Sequence, residues 1–309
     1  MELLRKNSPP VSSSGEAGRA SAEVINKKTL RDRLREYKRS PLSALLHLLV
    51  ILAAAVTAAA LLFIIVYILV NGIPNLKPSL FSLTYTSENV SMLPSIVNTL
   101  IMAVLSLLIA GPLGIFAAIY LVEYAGRGNK LVSVIRMTAE TLSGIPSIVY
   151  GIFGMIFFVT AMHLGYSILA GALTMSIMIL PLIMRTTEEA LQSVPDAYRE
   201  GSFGLGAGRL RTVFRIVLPS AVPGILAGVI LAVGRVIGET AALIFTAGTV
   251  AEIPDNLLSS GRTLAVHMYQ LSREALHTGE AYATAVVTLL VVLALNTLSA
   301  LIARKITRR

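Results

Sequence analysis

Arg235 and Glu239 stand four residues apart within the apolar run from Val229 to Phe245. That run is long enough to enter a bilayer deeply, and an ionised side chain at the centre of a spanning helix costs about 3 kcal/mol on insertion scales. Such a residue faces a polar pathway or a partner charge rather than lipid. The spacing of four predicts that both groups share one helix face. A guanidinium offers five donors and a permanent charge, which suits fork-like recognition of phosphate oxygens. A carboxylate beside it keeps the empty site near neutral, so an anion must compete with it and can leave again. A structural salt bridge within or between helices is the other reading of the same pair.

Arg136 and Glu140 repeat the spacing at the entry of another apolar segment. Snorkelling makes charges cheap near a membrane end, so this pair reads either as a surface ion pair or as a gate. Gly144, Pro146, Gly151 and Gly154 break the segment that follows. Broken helices at membrane depth line cavities, because their freed carbonyls need partners. Gly224, Gly228, Gly234 and Gly238 recur at near helical spacing, which predicts close helix packing.

The elements that must position these residues are membrane helices. Of 309 residues, 55% are hydrophobic and 14% charged, and the mean hydropathy is +0.75, far from a soluble domain of this length. There is no cysteine, which excludes disulfides, thiolate metal sites and cysteine nucleophiles. His47, His163, His267 and His277 fall without ligand spacing, so neither a metal nor a cofactor is expected.

Six apolar stretches reach the roughly 20 residues that a bilayer requires. They lie near Leu42–Val70, Leu93–Val122, Leu142–Ala161, Tyr166–Met184, Val222–Thr246 and Ala283–Ala303. Basic residues alternate between the segments that separate them. Twenty-two Lys and Arg fall on one side and three, Lys77, Arg262 and Arg273, on the other, with Arg235 left inside a span. The positive-inside rule then predicts a multi-pass protein of the plasma, or inner, membrane with both termini cytoplasmic. The net charge of +9 therefore reflects topology and not nucleic acid. Residues 1–41 read as a basic cytoplasmic arm, becoming helical near Lys27–Arg39, attracted to anionic lipid headgroups. Residues 42–92 read as the first spanning helix and an external loop. Residues 93–309 read as the transmembrane domain proper. The first apolar run is too late and too long for a cleaved signal, so it is expected to stay as an anchor.

The largest cytoplasmic loop, residues 185–218, reads as a helix, a break and a second helix. Ser193 is a candidate N-cap, with Pro195 in the first turn and Asp196 three positions on. Gly204, Gly206 and Gly208 interrupt the helix. A short helix displayed there suits docking into a groove of another protein, or lying on the membrane surface. From Glu200 the chain runs Glu-Gly-Ser, then Gly206, then Ile216-Val-Leu-Pro219. This resembles the EAA loop of ABC importer permeases, with Gly201 and Ser202 where two alanines usually stand. Ser143–Gly154, Val194–Ser202 and Gly234–Ala247 are together similar to the PstA family of phosphate permease subunits, over about Leu93 to Ala303.

The resemblance implies an all-α, MetI-like importer permease fold of six transmembrane helices. It places Arg235, Glu239 and Thr240 on the substrate pathway. It assigns ATPase coupling to Asp196, Tyr198, Arg199, Glu200, Gly201, Ser202, Gly206 and Pro219. It implies a PstC-like permease partner, a PstB-like ATPase dimer and an external phosphate-binding protein. The chain itself contains no Gly, four residues, Gly-Lys-Ser/Thr run and hence no Walker A loop, so its energy comes from another subunit or from an ion gradient. Under the resemblance, ATP hydrolysis belongs to a partner subunit and no enzyme activity is expected here. A PstC-type sister, a permease for sulfate or molybdate, and a secondary transporter or channel without an ATPase are the alternatives.

Overall fold

The computed structural model describes residues 41–126 and 128–307. The chain divides into two compact units, residues 1–65 and 66–309. The basic arm, its expected helix at Lys27–Arg39 and Arg127 lie outside the described residues.

The described part of the first unit is helical and continues as α1 (Pro41–Gly72). Its sequence is apolar all round, as a bilayer demands, and Pro41 at its start costs no hydrogen bond because the first N–H groups of a helix are unpaired anyway.

In the second unit the helices are α2 (Leu93–Ile119), α3 (Lys130–Ser143), α4 (Ser147–Gly154), α5 (Ile168–Gln192), α6 (Asp196–Gly204), α7 (Arg209–Thr212), α8 (Leu218–Gly238), α9 (Ala241–Ile244), α10 (Leu264–Glu274) and α11 (Thr278–Thr307). The described residues contain no strand. π-helical turns extend α2 through Tyr120–Tyr124, α4 through Met155–Ala161 and lead into α8 through Val213–Val217. Among the described residues, five helical stretches are long and apolar enough to cross a membrane, or six if α3 and α4 count as one bent span. Helix α5 lies at the centre and packs on α2, α3, α4 and α8. Its core face carries Ile168, Met175, Met178, Ile179 and Ile183, all fully buried, against Met102 of α2, Ala232 and Val236 of α8 and Leu243 of α9. A second cluster, with Leu121, Leu191, Val194, Val213 and Val217, closes the end of the bundle that carries α6.

Two expected spans differ from the observed ones. The third was expected as Leu142–Ala161, yet α3 ends at Ser143 and the chain turns through 101° before α4 resumes at Ser147. Pro146 removes an N–H and disfavours helical backbone at Ile145, so the helix cannot run through. The Tyr150 hydroxyl donates to the Leu142 carbonyl across the bend at 2.7 Å, beside the Ile145 N–H that the same carbonyl accepts at 3.1 Å. The fifth was expected as Val222–Thr246, yet α8 ends at Gly238 and Glu239 adopts extended backbone with φ −75° and ψ 129°.

The glycine stripe on α8 divides in two. A Cβ on Gly228 would collide with Thr186 Oγ1, and one on Gly224 would lie 2.6 Å from Ala190 Cβ. These two let α8 approach α5 closely. Gly234 and Gly238 face open space and do no such packing. Ser193 is also reassigned: its hydroxyl donates to the Ala190 carbonyl at 2.8 Å, so it closes α5 instead of capping α6. Pro195 occupies the position before α6, because its fixed φ suits a helix start.

Candidate functional site

A cavity of about 520 Å³ opens between α3, α5 and the end of α8. Arg136, Arg185 and Arg235 line it together with Glu140, Glu188 and Glu189, over an apolar floor of Met178, Pro181 and Leu182. Three residues expected from the sequence, Arg235, Arg136 and Glu140, thus share one cavity. Glu239 and Thr240 are not among its lining residues.

Arg235 is half-buried in the last turn of α8, where the negative end of the helix dipole favours a cation. No ion pair to it occurs among the described residues. The shared helix face expected for Arg235 and Glu239 does not form, because the helix has ended before Glu239. The Glu239 carboxylate instead accepts the Ala242 N–H at 3.1 Å, capping α9. That capture uses one of the carboxylate oxygens. Thr240 starts α9, accepting the Ile244 N–H on its carbonyl at 3.1 Å.

Arg136 and Glu140 lie on α3 as expected, but Arg136 is paired elsewhere. Its Nη2 meets Glu188 Oε1 of α5 at 2.6 Å, and the same oxygen accepts from Gln192 Nε2 at 3.0 Å. Glu188 is nearly buried and Arg136 half-exposed, so this pair joins the bent third span to the central helix at the cavity wall. Arg185 pairs with Glu189 at 3.1 Å on the exposed face of α5.

The segment from Asp196 to Pro219 forms a separate constellation. Helix α6 exposes Tyr198, Phe203 and, just beyond it, Leu205, with Glu200 and Gly201 on the surface. Gly206 adopts φ +82°, a left-handed conformation that lets the chain leave α6 and double back. Ser202 is buried and shares a 2.8 Å hydrogen bond with the Thr212 hydroxyl, so the departure from alanine at that position carries a polar tie. Arg199 is turned inward to Glu123 at 2.7 Å. Donating hydrogen bonds to the Glu123 carboxylate is the main cause that pushes the Arg199 guanidinium above its ordinary range, so it stays charged. Pro219 stands at the start of α8, directly after the π-helical turn Val213–Val217.

Sequence reasoning missed Glu123 and Glu188. The signal for Glu123 was available, since it is an isolated acid at the end of the run from Leu93. Glu188 gave no such signal, because it sits among other charges.

Helices that traverse a bilayer, a bent third span and a mixed-charge cavity define a membrane permease subunit. A family model described as "Binding-protein-dependent transport system inner membrane component" matches residues 110–309, and the chain belongs to that family. It is 37% identical over 227 residues to the probable ABC transporter permease protein YqgI of Bacillus subtilis, covering 68% of this chain and 76% of the relative. It is 35% identical over 215 residues to the phosphate transport system permease protein PstA 1 of Mycobacterium tuberculosis H37Rv, covering 69% of each. Among solved structures, a bacterial ABC transporter that imports the acidic polysaccharide alginate superposes with a TM-score of 0.65 over 89% of this chain and 99% of that one, at 17% identity. The fold is therefore that of the ABC importer permeases, and the chain is a multi-pass transporter subunit, not itself an enzyme.

Proposed function

We propose that this chain is the permease subunit of an ATP-driven phosphate importer and forms half of the translocation pathway. The observation that carries the reading is Arg235, a half-buried guanidinium without an ion-pair partner among the described residues, beside a cavity lined by both signs of charge. A cation that is not neutralised by its own chain supplies the fork that phosphate oxygens require. Glu140, Glu188 and Glu189 keep the cavity from holding a dianion tightly, so bound phosphate can leave. The PstA names among the relatives support phosphate over other oxyanions.

Helix α6 is the docking element for an ATPase subunit, through exposed Tyr198, Glu200, Phe203 and Leu205. Two such ATPases, a PstC-like permease and an external phosphate-binding protein complete the importer in the inner membrane, with α6 and both termini on the cytoplasmic side. Arg136, held by Glu188, acts as a gate at the inner mouth of the cavity.

Radiolabelled phosphate uptake tests this in phosphate-starved cells lacking their own system, with the chain and its partners set against the Arg235→Gln variant. Uptake that disappears in the variant while the complex still assembles supports the anion contact. Normal uptake by Arg235→Gln refutes it. Assembly with the ATPase but no phosphate uptake by the unmodified chain assigns the same fold to another oxyanion, such as sulfate or molybdate.

A further inference from the structure

Arg199 lies in the segment read as docking an ATPase, yet its side chain turns inward to Glu123 and the Leu191 carbonyl. It is 15% exposed, whereas neighbouring Tyr198 is 54% exposed. All five of its N–H donors are used. Nε donates to Glu123 at 3.2 Å and one Nη2 hydrogen to the same carboxylate at 2.7 Å. The other Nη2 hydrogen goes to the Leu191 carbonyl at 2.9 Å, and Nη1 serves the Val194 carbonyl at 2.8 Å and Asp196 at 3.1 Å. Glu123 is 8% exposed and stands 76 residues away, on the π-helical turn that ends the second span.

One guanidinium therefore ties three elements together: the end of the second span, the last turn of α5 and the start of α6. The tie continues toward the cavity. Leu191 follows Glu188 by three residues on α5, and Glu188 holds Arg136 of α3 at the cavity wall. A displacement of α6 that pulls on the Leu191 carbonyl shifts the same helical turn that carries Glu188. The other tie of α6, Ser202 to Thr212, leads instead toward α8.

We propose that Arg199, locked by Glu123, is the positioning residue that transmits movement of α6 to the second span and α5, and thereby to the Arg136–Glu188 pair, without itself contacting the ATPase. The proposal rests on the reading of α6 as the ATPase-docking helix. A residue of this kind affects how much substrate moves per ATP, not whether the ATPase binds.

The test uses the complete importer in proteoliposomes, with inorganic phosphate as the probe. Two variants keep the local shape: Glu123→Gln retains one acceptor oxygen, and Arg199→Lys retains the charge with three donors in place of five. In both, the ATPase subunit is expected to copurify at the parental ratio while phosphate moved per ATP hydrolysed falls at least fivefold. That ratio is independent of how much complex folds, so a merely structural loss would not change it. A ratio within twofold of the parent in both variants overturns the proposal. So does loss of the ATPase subunit from the variants alone, which would make Arg199 a determinant of docking. A parental complex that retains no ATPase would instead refute the docking role of α6, and the transmission role would fall with it.

Discussion

Arg136 of α3 meets Glu188 of α5 at 2.6 Å and leaves Glu140, its neighbour one turn along the same helix, without that charge. A helix that enters the membrane region and then turns through 101° needs a fixed point, and a nearly buried carboxylate on the central helix supplies one. Neutralising Glu188 takes away the partner that holds the half-exposed Arg136 against the central helix. Glu188→Gln should thus release Arg136 into the cavity. Arg136 and Arg235 would then face a phosphate dianion with one carboxylate fewer in the cavity they share. The expected result is tighter substrate retention, read as at least a fivefold fall in maximal phosphate uptake with no rise in half-saturation concentration. Unchanged maximal uptake would remove Glu188 from the gate.

How much of this could be read from the sequence depends on the range of the interaction. Spans are set by local apolar runs, so the existence of most of them was legible. Their breaks were harder, because hydropathy is blind to backbone direction: apolar residues continue past Ile145 and past Thr240 while the helix has already stopped. Gly144-Ile-Pro146 signals a break, but composition alone does not say that the apolar helix starts after it. Arg235 and Arg136 stood out as cations in apolar surroundings. Their true relations did not, since Glu188 lies 52 positions from Arg136 and nothing in one sequence pairs them. The expected Arg235–Glu239 face failed for a local reason: Gly238 permits the chain to leave the helix, and the Glu239 side chain then finds the free N–H of Ala242.

Acidification should weaken this fold through His267 of α10. Burial, reinforced by the charge of Arg262, lowers its pKa to about 3, while in an unfolded chain it is about 6.5. Arg262 is stacked over the Tyr85 ring at 4.6 Å, and Tyr85 also meets the His267 ring edge-on. Between those two pKa values the unfolded chain binds the extra proton, so the contribution is complete above pH 6.5 and is lost progressively as pH falls toward 3. The loss between pH 7 and pH 5 is about 2 kcal/mol. Thermal unfolding of the detergent-solubilised protein at the two pH values measures it, with His267→Asn expected to flatten the dependence. Equal slopes in parent and variant would assign the pH sensitivity to other groups.

Gly201 occupies a helix interior position on α6 where an added Cβ meets nothing within 4 Å. Its backbone is helical, so alanine there should stabilise α6 by about 1 kcal/mol. Amide hydrogen exchange across residues 198–204 is expected to slow about fivefold in Gly201→Ala, that being the same energy expressed as an opening equilibrium. Ser202→Ala should act in the opposite direction, because it removes the hydrogen bond that ties α6 to Thr212, whose hydroxyl then keeps only the Gly208 carbonyl. Faster exchange in Gly201→Ala would mean that α6 needs the backbone freedom of glycine during its working cycle.

The packing of α8 on α5 makes a sharper discrimination between glycines of one stripe. At Gly228 any side chain runs into Thr186, whose own hydroxyl is committed to the Leu182 carbonyl at 2.9 Å. Thr186 also lines the cavity, so forcing α8 outward there moves the wall that faces Arg235. Gly228→Val should cost about 1–3 kcal/mol from overpacking, seen as a lower melting temperature of the solubilised protein. Gly234→Ala faces open space and should not lower it; the better helix propensity of alanine favours a small rise. If the two variants melt alike, close approach at Gly228 is not what sets the spacing of α5 and α8, and the cavity owes its width to the ion pairs on α3 and α5 instead.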